Sequence, residues 1–256
     1  MDNPIVRIEN IDLTYHDPGG ETKALKNISF NVMKGEFVSI VGPSGCGKST
    51  LLSILAKLLK ASDGQIYIDG EPSAQSKVLM GYMLQKDHLF EWRSVWENVI
   101  LGLEIQNKLT DEKKEYVSNL FMRYGLSEFK DKKPSQLSGG MRQRAALIRT
   151  LALEPEILLL DEPFSSLDYQ TRLLVCDEIA TIIKQEGKTA ILVTHDISEA
   201  VSVSGRVVVL SKRPATVKHI FDIKLENENA TPMQAREDIR FKDYFNLIWK
   251  ELDFNV

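Results

Sequence analysis

The chain has 256 residues, of which 43% are hydrophobic, and a formal net charge of -4 at pH 7. A chain of this length can bury a core large enough for one domain without disulfides or a structural metal. Lysine and arginine are scattered rather than gathered into one stripe, which argues against a nucleic-acid-binding surface. The longest nearly continuous apolar run, residues 78–84, falls far short of the roughly 20 residues that a membrane span requires.

The compartment is suggested by the cysteines and by the first residues of the chain. Cys46 and Cys176 are far apart and form no paired ligand spacing, which fits a reducing compartment. The opening residues, MDNPIVRIEN, lack the basic segment and apolar stretch of a secretory signal. We therefore expect a cytosolic protein, for which any membrane role requires a partner.

The pattern of apolar residues predicts two kinds of strand. Apolar side chains alternate over residues 11–15 and 28–32, which is typical of a half-exposed antiparallel sheet. Other short runs are continuously aliphatic, the pattern of strands that are buried on both faces. These runs are residues 37–41, 157–160, 190–193 and 207–210. The fold class is therefore α/β, with a parallel-sheet core and an antiparallel β subdomain.

Two regions have the apolar spacing of helices. Between Trp92 and Lys133 the period becomes helical, which predicts an inserted helical subdomain whose apolar residues mostly pack on their own core. After a polar stretch, Phe241, Tyr244, Phe245, Ile248 and Leu252 form one apolar face of a terminal helix. We expect this helix to pack on its own domain.

Residues 42–50 read GPSGCGKST and match the phosphate-loop pattern between a buried strand and a helix. The glycines should allow positive dihedral angles, so that backbone N–H groups turn inward and form a nest for an anion. The alternative is a glycine-rich turn that happens to carry a lysine. The predicted nucleotide-binding residues of this loop are Gly42, Pro43, Ser44, Gly45, Cys46, Gly47, Lys48, Ser49 and Thr50.

Within this loop the side chains have separate predicted tasks. Lys48 should neutralise the β- and γ-phosphates, Ser49 should offer its hydroxyl to Mg2+, and Thr50 should help on the α-phosphate side. Cys46 stands at a variable position of the pattern, where a passive thiol facing the nucleotide is favoured over a redox switch. The expected ligands are ATP and Mg2+.

Three polar residues follow buried strands and supply the predicted chemistry. Asp161 and Glu162 follow ILLL, and His195 follows AILVT. Asp161 would bind Mg2+, and Glu162 would accept a proton from the attacking water. A neutral His195 could contact the γ-phosphate and orient the water or Glu162. The alternatives are a solvated strand end for the acids and a structural role for the histidine.

Residues 137–144, LSGGMRQR, resemble the signature of the ATP-binding-cassette (ABC) ATPases, and the resemblance covers nearly the whole chain. Ser138, Gly139 and Gly140 should open a helix over 141–153, where small residues expose backbone donors and the positive end of the helix dipole. In this family the signature of one subunit closes over ATP held by the phosphate loop of another. The resemblance therefore implies a P-loop NTPase fold and an ATP-dependent head-to-tail dimer with a second ATPase copy.

Other positions match this family one by one. Tyr15 is similar to the aromatic residue that stacks on adenine, and Gln85 to the catalytic glutamine that reaches Mg2+ and the water. Asp168 resembles the aspartate that links the two sites of the dimer. Residues 86–99 correspond to the socket in which the coupling helix of a transmembrane permease docks.

The resemblance also divides the chain into parts of one nucleotide-binding domain over 1–256. The ATP-binding core is expected at 1–85 and 155–225, the helical signature subdomain at 86–154, and a C-terminal helical tail at 226–256.

Trp92 and the run VVVLSKRPATV make the chain similar to the nitrate, sulfonate and taurine import ATPases. This resemblance implies a peripheral protein on the cytoplasmic face of the cell membrane, permease subunits and, through them, an extracytoplasmic solute-binding protein. Gly205 departs from the family, which often has an acidic residue there. The competing hypotheses are a soluble ATPase of the same class and a nucleotide-gated interaction module that does not hydrolyse ATP.

Overall fold

The computed structural model describes residues 3–227 and 230–252. Contacts divide the chain into two compact units, of which the first joins Met1–Val78 to Ala180–Val256 and the second is Leu79–Ile179. The strands are β1 (Val6–Asp17), β2 (Gly20–Val32), β3 (Phe37–Val41), β4 (Asp63–Ile68), β5 (Glu71–Pro72), β6 (Met80–Met83), β7 (Ile157–Asp161), β8 (Thr189–Val193), β9 (Arg206–Leu210) and β10 (Val217–Asp222). The α-helices are α1 (Lys48–Leu55), α2 (Val95–Ile105), α3 (Asp111–Arg123), α4 (Gly139–Leu151), α5 (Tyr169–Gln185), α6 (Ile197–Val203), α7 (Pro232–Ala235) and α8 (Phe241–Glu251).

The first unit contains the predicted antiparallel sheet, with the strand order β2-β1-β4-β5. Ile11 pairs with Ile28 and Leu13 with Leu25, and all four side chains are buried. The register shifts immediately after Leu13. This irregularity breaks the alternation of buried and exposed side chains. Tyr15 is therefore 38% exposed, whereas Ile11 and Leu13 are buried.

The same unit contains the predicted buried strands around β3. This strand pairs in parallel with β8 on one side and β9 on the other, and β10 pairs antiparallel with β9. Nearly every side chain of β8 and β9 is buried, as the continuous aliphatic runs predict. Because parallel strands end at the same edge, the segments that follow β3 and β8 begin at one edge of this sheet.

In the second unit, β6 and β7 form a parallel pair, and α2, α3 and α4 are the helices of the predicted insertion. Val99, Leu103, Val117 and Leu120 are buried at helical spacing. The predicted start of α4 at Met141 is wrong by two residues: the helix begins at Gly139 because the Ser138 hydroxyl accepts the Met141 N–H and caps it, and it ends at Leu151 rather than Leu153.

The terminal helix α8 packs as predicted. Ile248 and Leu252 are buried in one hydrophobic cluster with Val201 and Val209, and Phe241, Tyr244 and Phe245 pack against this cluster. Residues 228, 229 and 253–256 of the predicted tail lie outside the described residues. The domain boundaries at 85/86 and 154/155 stay a prediction. Among the described residues, no helix is both long enough and apolar enough to cross a membrane.

Candidate nucleotide site

The loop between β3 and α1 has the compact form that its sequence predicts, but its glycines serve two purposes. Gly45 and Gly47 have φ values of 71° and 121°, a region that L side chains rarely adopt. The prediction of a positive φ at Gly42 is wrong. A Cβ there would lie 2.9 Å from the Cys46 Sγ and 3.2 Å from the Leu210 carbonyl oxygen, so Gly42 is required for close packing.

Lys48 is the first residue of α1 and is only 5% exposed. Its Nζ donates to the carbonyl oxygens of Gly42 at 2.9 Å and Pro43 at 3.2 Å. These two carbonyl groups hold the ammonium group inside the loop, where a bound phosphate would also contact it. A bound anion can replace these neutral acceptors with a charged one, which makes a stronger hydrogen bond.

The Cys46 side chain is buried, which disagrees with the prediction that its thiol faces the nucleotide. The backbone N–H of Cys46 donates to the Pro43 carbonyl oxygen at 3.2 Å. Burial raises the pKa of the Cys46 thiol, while the charge of Lys48 acts in the opposite direction. The thiol is therefore a packing group beneath Gly42 rather than a lining group.

Other predicted residues of the first unit surround the loop. The Tyr15 hydroxyl and the Thr50 Oγ1 are 3.1 Å apart, which places the exposed tyrosine ring beside the first turn of α1. Ser44 and Ser49 are exposed, and Pro43 is half-buried. His195 is exposed two residues after the end of β8.

The two acids of the second unit lie at the carboxyl end of β7 in different environments. Asp161 is 7% exposed, and its Oδ2 accepts a hydrogen bond from the Tyr82 hydroxyl at 3.2 Å. Glu162 is half-buried and has a φ of 44°, an uncommon conformation for a residue with a side chain. The turn after β7 thus separates a fixed, buried carboxylate from one that reaches solvent.

Gln85 contacts Glu162 within the second unit. Its Nε2 donates to the Glu162 Oε2 and to the Ser165 Oγ, both at 3.3 Å. Ser165 also donates to the Glu162 carbonyl oxygen at 2.9 Å. The approach of these residues to loop 42–50, which belongs to the other unit, stays a prediction.

The signature segment forms the expected helix opening. Ser138 is exposed at the N-cap of α4, and Gly140 is buried where a Cβ would meet Thr171 Cγ2 at 3.0 Å. At Gly139 a Cβ would lie 3.1 Å from Leu167 Cδ2. Both glycines therefore let the start of α4 pack closely on the segment around α5, in addition to any role toward a phosphate.

Asp168 is exposed and accepts the Thr171 N–H at 3.1 Å, as an N-cap does. Its hydrogen bonds to the hydroxyl and N–H of Thr171 hold the pKa of Asp168 below its ordinary value. This residue therefore has a structural task in the turn before α5.

Several residues that contact this machinery were missed from the sequence. Tyr82 pairs with Leu159 on the neighbouring strand, so strand register could have placed it two residues from Asp161. No feature of the sequence around Ser165 indicates its contacts with Gln85 and Glu162. Arg213, in a turn after β9, donates to the Gly45 carbonyl oxygen at 2.6 Å, and nothing in the pattern of its neighbours predicts this contact.

The donor set fits Mg2+. This ion is usually bound through one or two carboxylates together with water and substrate phosphates, rather than by an all-protein cage. The nearly buried Asp161 carboxylate, which accepts from Tyr82, and the exposed Ser49 hydroxyl have the required oxygen chemistry. Within the described ranges, no group of three or more His, Cys, Asp or Glu side chains could hold a metal by itself.

Known proteins share sequence and fold with this chain. The model of the ABC transporter family matches residues 25–165. An ABC transporter ATP-binding protein of Bacillus subtilis, YtlC, is 46% identical over 97% of this chain and 95% of its own length. The aliphatic sulfonates import ATP-binding protein SsuB of Bacillus cereus is 38% identical, with 93% of each chain covered.

A solved structure shares the fold. The dimeric post-hydrolysis state of the ATP-binding cassette MJ0796, bound to ADP and Pi, is 33% identical with a TM-score of 0.74. It covers 86% of this chain, and this chain covers 99% of it.

Proposed function

The chain belongs to the ABC transporter family as an ATP-hydrolysing subunit, and from this premise we propose that it powers the import of a small solute through a separate membrane permease. The solute is nitrate, a sulfonate, taurine or a related small molecule. The observation that carries the permease assignment is a pair of exposed aromatic side chains in the segment after Gln85.

Phe90 and Trp92 form this exposed pair. Their ring centroids are 4.7 Å apart, and Trp92 is 73% exposed. Exposed aromatic side chains are the residues most often found as anchors in protein interfaces. The pair therefore supports the proposal that residues 86–99 receive a segment of a permease.

The segment that carries these rings is held in one conformation. Asn98 is buried; it accepts the Phe90 N–H at 2.7 Å and donates to the Phe90 carbonyl oxygen at 3.0 Å. Arg149 donates to the carbonyl oxygens of Asp87 at 2.6 Å and His88 at 2.8 Å. Burial lowers the pKa of the Arg149 guanidinium, but its ordinary value is so high that it stays charged. A prearranged docking surface loses little conformational entropy on binding.

The same segment begins at the hydrolytic residues. Gln85 contacts Glu162, whose carboxylate is the proposed general base for the attacking water. If a bound permease segment moved, the displacement would be transmitted to Glu162 through its hydrogen bond with Gln85. This connection offers a physical route by which transport and hydrolysis influence each other.

We assign the remaining roles as follows. Lys48 binds the β- and γ-phosphates, Tyr15 stacks on adenine, and His195 orients the water or Glu162. Asp161, Ser49 and Gln85 would hold Mg2+, which supplies charge neutralisation on the phosphate oxygens. ATP is the substrate and joins two copies of the chain, since residues 138–140 of one copy face the phosphate held by loop 42–50 of the other.

We further propose that the chain is a peripheral subunit on the cytoplasmic face of the membrane. The permease would in turn receive its solute from an extracytoplasmic solute-binding protein. The soluble-ATPase hypothesis lacks a comparable explanation for the exposed Phe90 and Trp92 pair.

The test is copurification of the tagged chain from detergent-solubilised membranes of its native host. We expect a multi-spanning membrane protein with the wild-type chain and its loss with Trp92→Asp, because a charge would be buried in the interface. The matched control is Ile105→Asp, since Ile105 is 72% exposed in the same unit but lies outside residues 86–99.

Phosphate release by the isolated Trp92→Asp chain should equal that of the wild type, which shows that the fold survives. Copurification of a soluble partner alone would overturn the importer assignment. Equal recovery of the membrane protein with Trp92→Asp would overturn the docking assignment.

A further inference from the structure

Arg213 approaches loop 42–50 from a turn that the rest of the first unit holds in place. The turn follows β9, and the Ser211 Oγ accepts the Thr216 N–H at 2.9 Å and donates to the Lys212 carbonyl oxygen at 2.9 Å. Ala215 exchanges backbone hydrogen bonds with β2, donating to Ala24 O at 2.9 Å and accepting from Lys26 N at 2.8 Å. The backbone from which the Arg213 side chain extends is therefore fixed.

The arm ends on the exposed part of the loop. Arg213 Nη2 donates to the Gly45 carbonyl oxygen at 2.6 Å. Gly45 is exposed and has a positive φ, whereas Gly42 and Gly47, at the two ends of the loop, are packed against Leu210 and Leu25. Packing thus fixes the ends of the loop, and a charged hydrogen bond holds its tip.

Two positively charged side chains stabilise the loop by donating hydrogen bonds to different backbone carbonyl oxygens. Lys48 Nζ contacts the carbonyl oxygens of Gly42 and Pro43, and Arg213 contacts that of Gly45. When a nucleotide binds, Lys48 is assigned to the phosphates and must give up hydrogen bonds to the loop. The contact of Arg213 requires no such exchange, so it can keep the tip in shape while Lys48 changes partners.

We propose that Arg213 is a positioning residue of the ATP site, which holds the tip of loop 42–50 in its binding conformation through the Gly45 carbonyl oxygen. This inference rests on the proposed assignment of loop 42–50 to the phosphates. Arg213 acts on binding through the backbone and takes no part in bond breaking. A loop already held in its bound form loses less conformational entropy when the ligand arrives.

The first test compares Arg213→Ala, Arg213→Lys and Lys212→Ala in the full chain. Lys212→Ala is the matched control, because it removes the same charge from an exposed neighbour in the same turn. For Arg213→Ala we expect the KM for ATP and the Kd of a fluorescent ATP analogue to rise about three- to tenfold with kcat nearly unchanged. This range is the effect of a charge-assisted hydrogen bond, reduced for solvent exposure. Arg213→Lys should recover part of the affinity, and Lys212→Ala should match the wild type.

The second test measures how well ordered loop 42–50 is in the absence of nucleotide. In a Cys176→Ala background, Cys46 is the one thiol of the chain, and its burial under Gly42 should make it react slowly with dithionitrobenzoate. Arg213→Ala should increase this rate at least about twofold, because local opening exposes the thiol. Lys212→Ala should not.

Lys48→Ala separates this proposal from the one on which it rests. If Lys48→Ala loses nucleotide binding while Arg213→Ala leaves KM, Kd and the labelling rate unchanged, Arg213 has no positioning role and the phosphate loop stands. If Lys48→Ala binds ATP as the wild type does, the assignment of the loop itself is wrong. Equal losses in Arg213→Ala and Lys212→Ala would mean that only the net charge matters, which also overturns the positioning role.

Discussion

Loop 42–50 and the acidic segment 161–168 hold their polar groups by different means. In the loop, backbone dihedral angles and close packing fix the shape, and Lys48 is nearly buried. At the acidic segment, the Glu162 side chain contacts Gln85 across a hydrogen bond of 3.3 Å between groups that reach solvent. The loop is a rigid cradle, whereas Gln85 and Glu162 can exchange partners at small cost. Substitutions in the loop should therefore affect binding and stability together, whereas substitution of Glu162 should affect chemistry alone.

The largest expected effect comes from Glu162→Gln. Removing the proposed base should lower turnover by on the order of 100-fold or more, since general base catalysis contributes that much in enzymes. The nearly isosteric amide keeps an acceptor for Gln85, so ATP binding should be unchanged. Phosphate release and equilibrium binding of labelled ATP measure the two properties.

The control for this prediction is Glu156→Gln, which makes the same chemical change just before the opposite end of β7. It should leave turnover intact. A Glu162→Gln chain that releases phosphate at the wild-type rate would remove Glu162 from the role of base.

A smaller effect, on stability, is expected for Gly42→Ala. The new methyl group would lie 2.9 Å from the Cys46 Sγ and 3.2 Å from a backbone oxygen, and such overpacking costs about 1–3 kcal/mol. Gly205→Ala is the matched control, because no atom lies within 4 Å of its Cβ position and its change should stay within about 0.5 kcal/mol. Denaturant unfolding of both variants gives the comparison. Equal stability of the two would mean that the loop is not tightly packed.

Much of the fold follows from the sequence because its strongest signals are local. The aliphatic runs that became β3, β7, β8 and β9 need no knowledge of their neighbours, since burial on both faces requires apolar residues throughout. The phosphate loop is recognisable because its glycines and Lys48 are contiguous in sequence.

Contacts between distant segments were not predictable in this way. Arg213 reaches Gly45 across 168 residues, and Tyr82 reaches Asp161 across 79. These two contacts depend on strand register and on a turn held by β2. Neither can be read from the spacing of residues in a single sequence. The packing role of Gly42 was missed for the same reason, because Leu210 comes from β9.

The resemblance to the ABC ATPases leads us to propose that a complete ATP site uses loop 42–50 of one copy and residues 138–140 of another. The deciding measurement is the mass of the chain in solution by light scattering, with ATP and Mg2+, in the Glu162→Gln background that slows hydrolysis. Lys48→Ala removes the loop's cation. Ser138→Asp keeps the N-cap of α4 but sets a carboxylate against the phosphate, and Ser138→Asn is its uncharged control.

We expect a dimer for Glu162→Gln alone and with Ser138→Asn, and monomers for Lys48→Ala and for Ser138→Asp when each is measured separately. A mixed pair of the Lys48→Ala and Ser138→Asp chains has one intact site, and its other site carries both changes, so the mixture should regain part of the dimer mass. A dimer formed by either variant alone at the level of Glu162→Gln would contradict a site shared between copies.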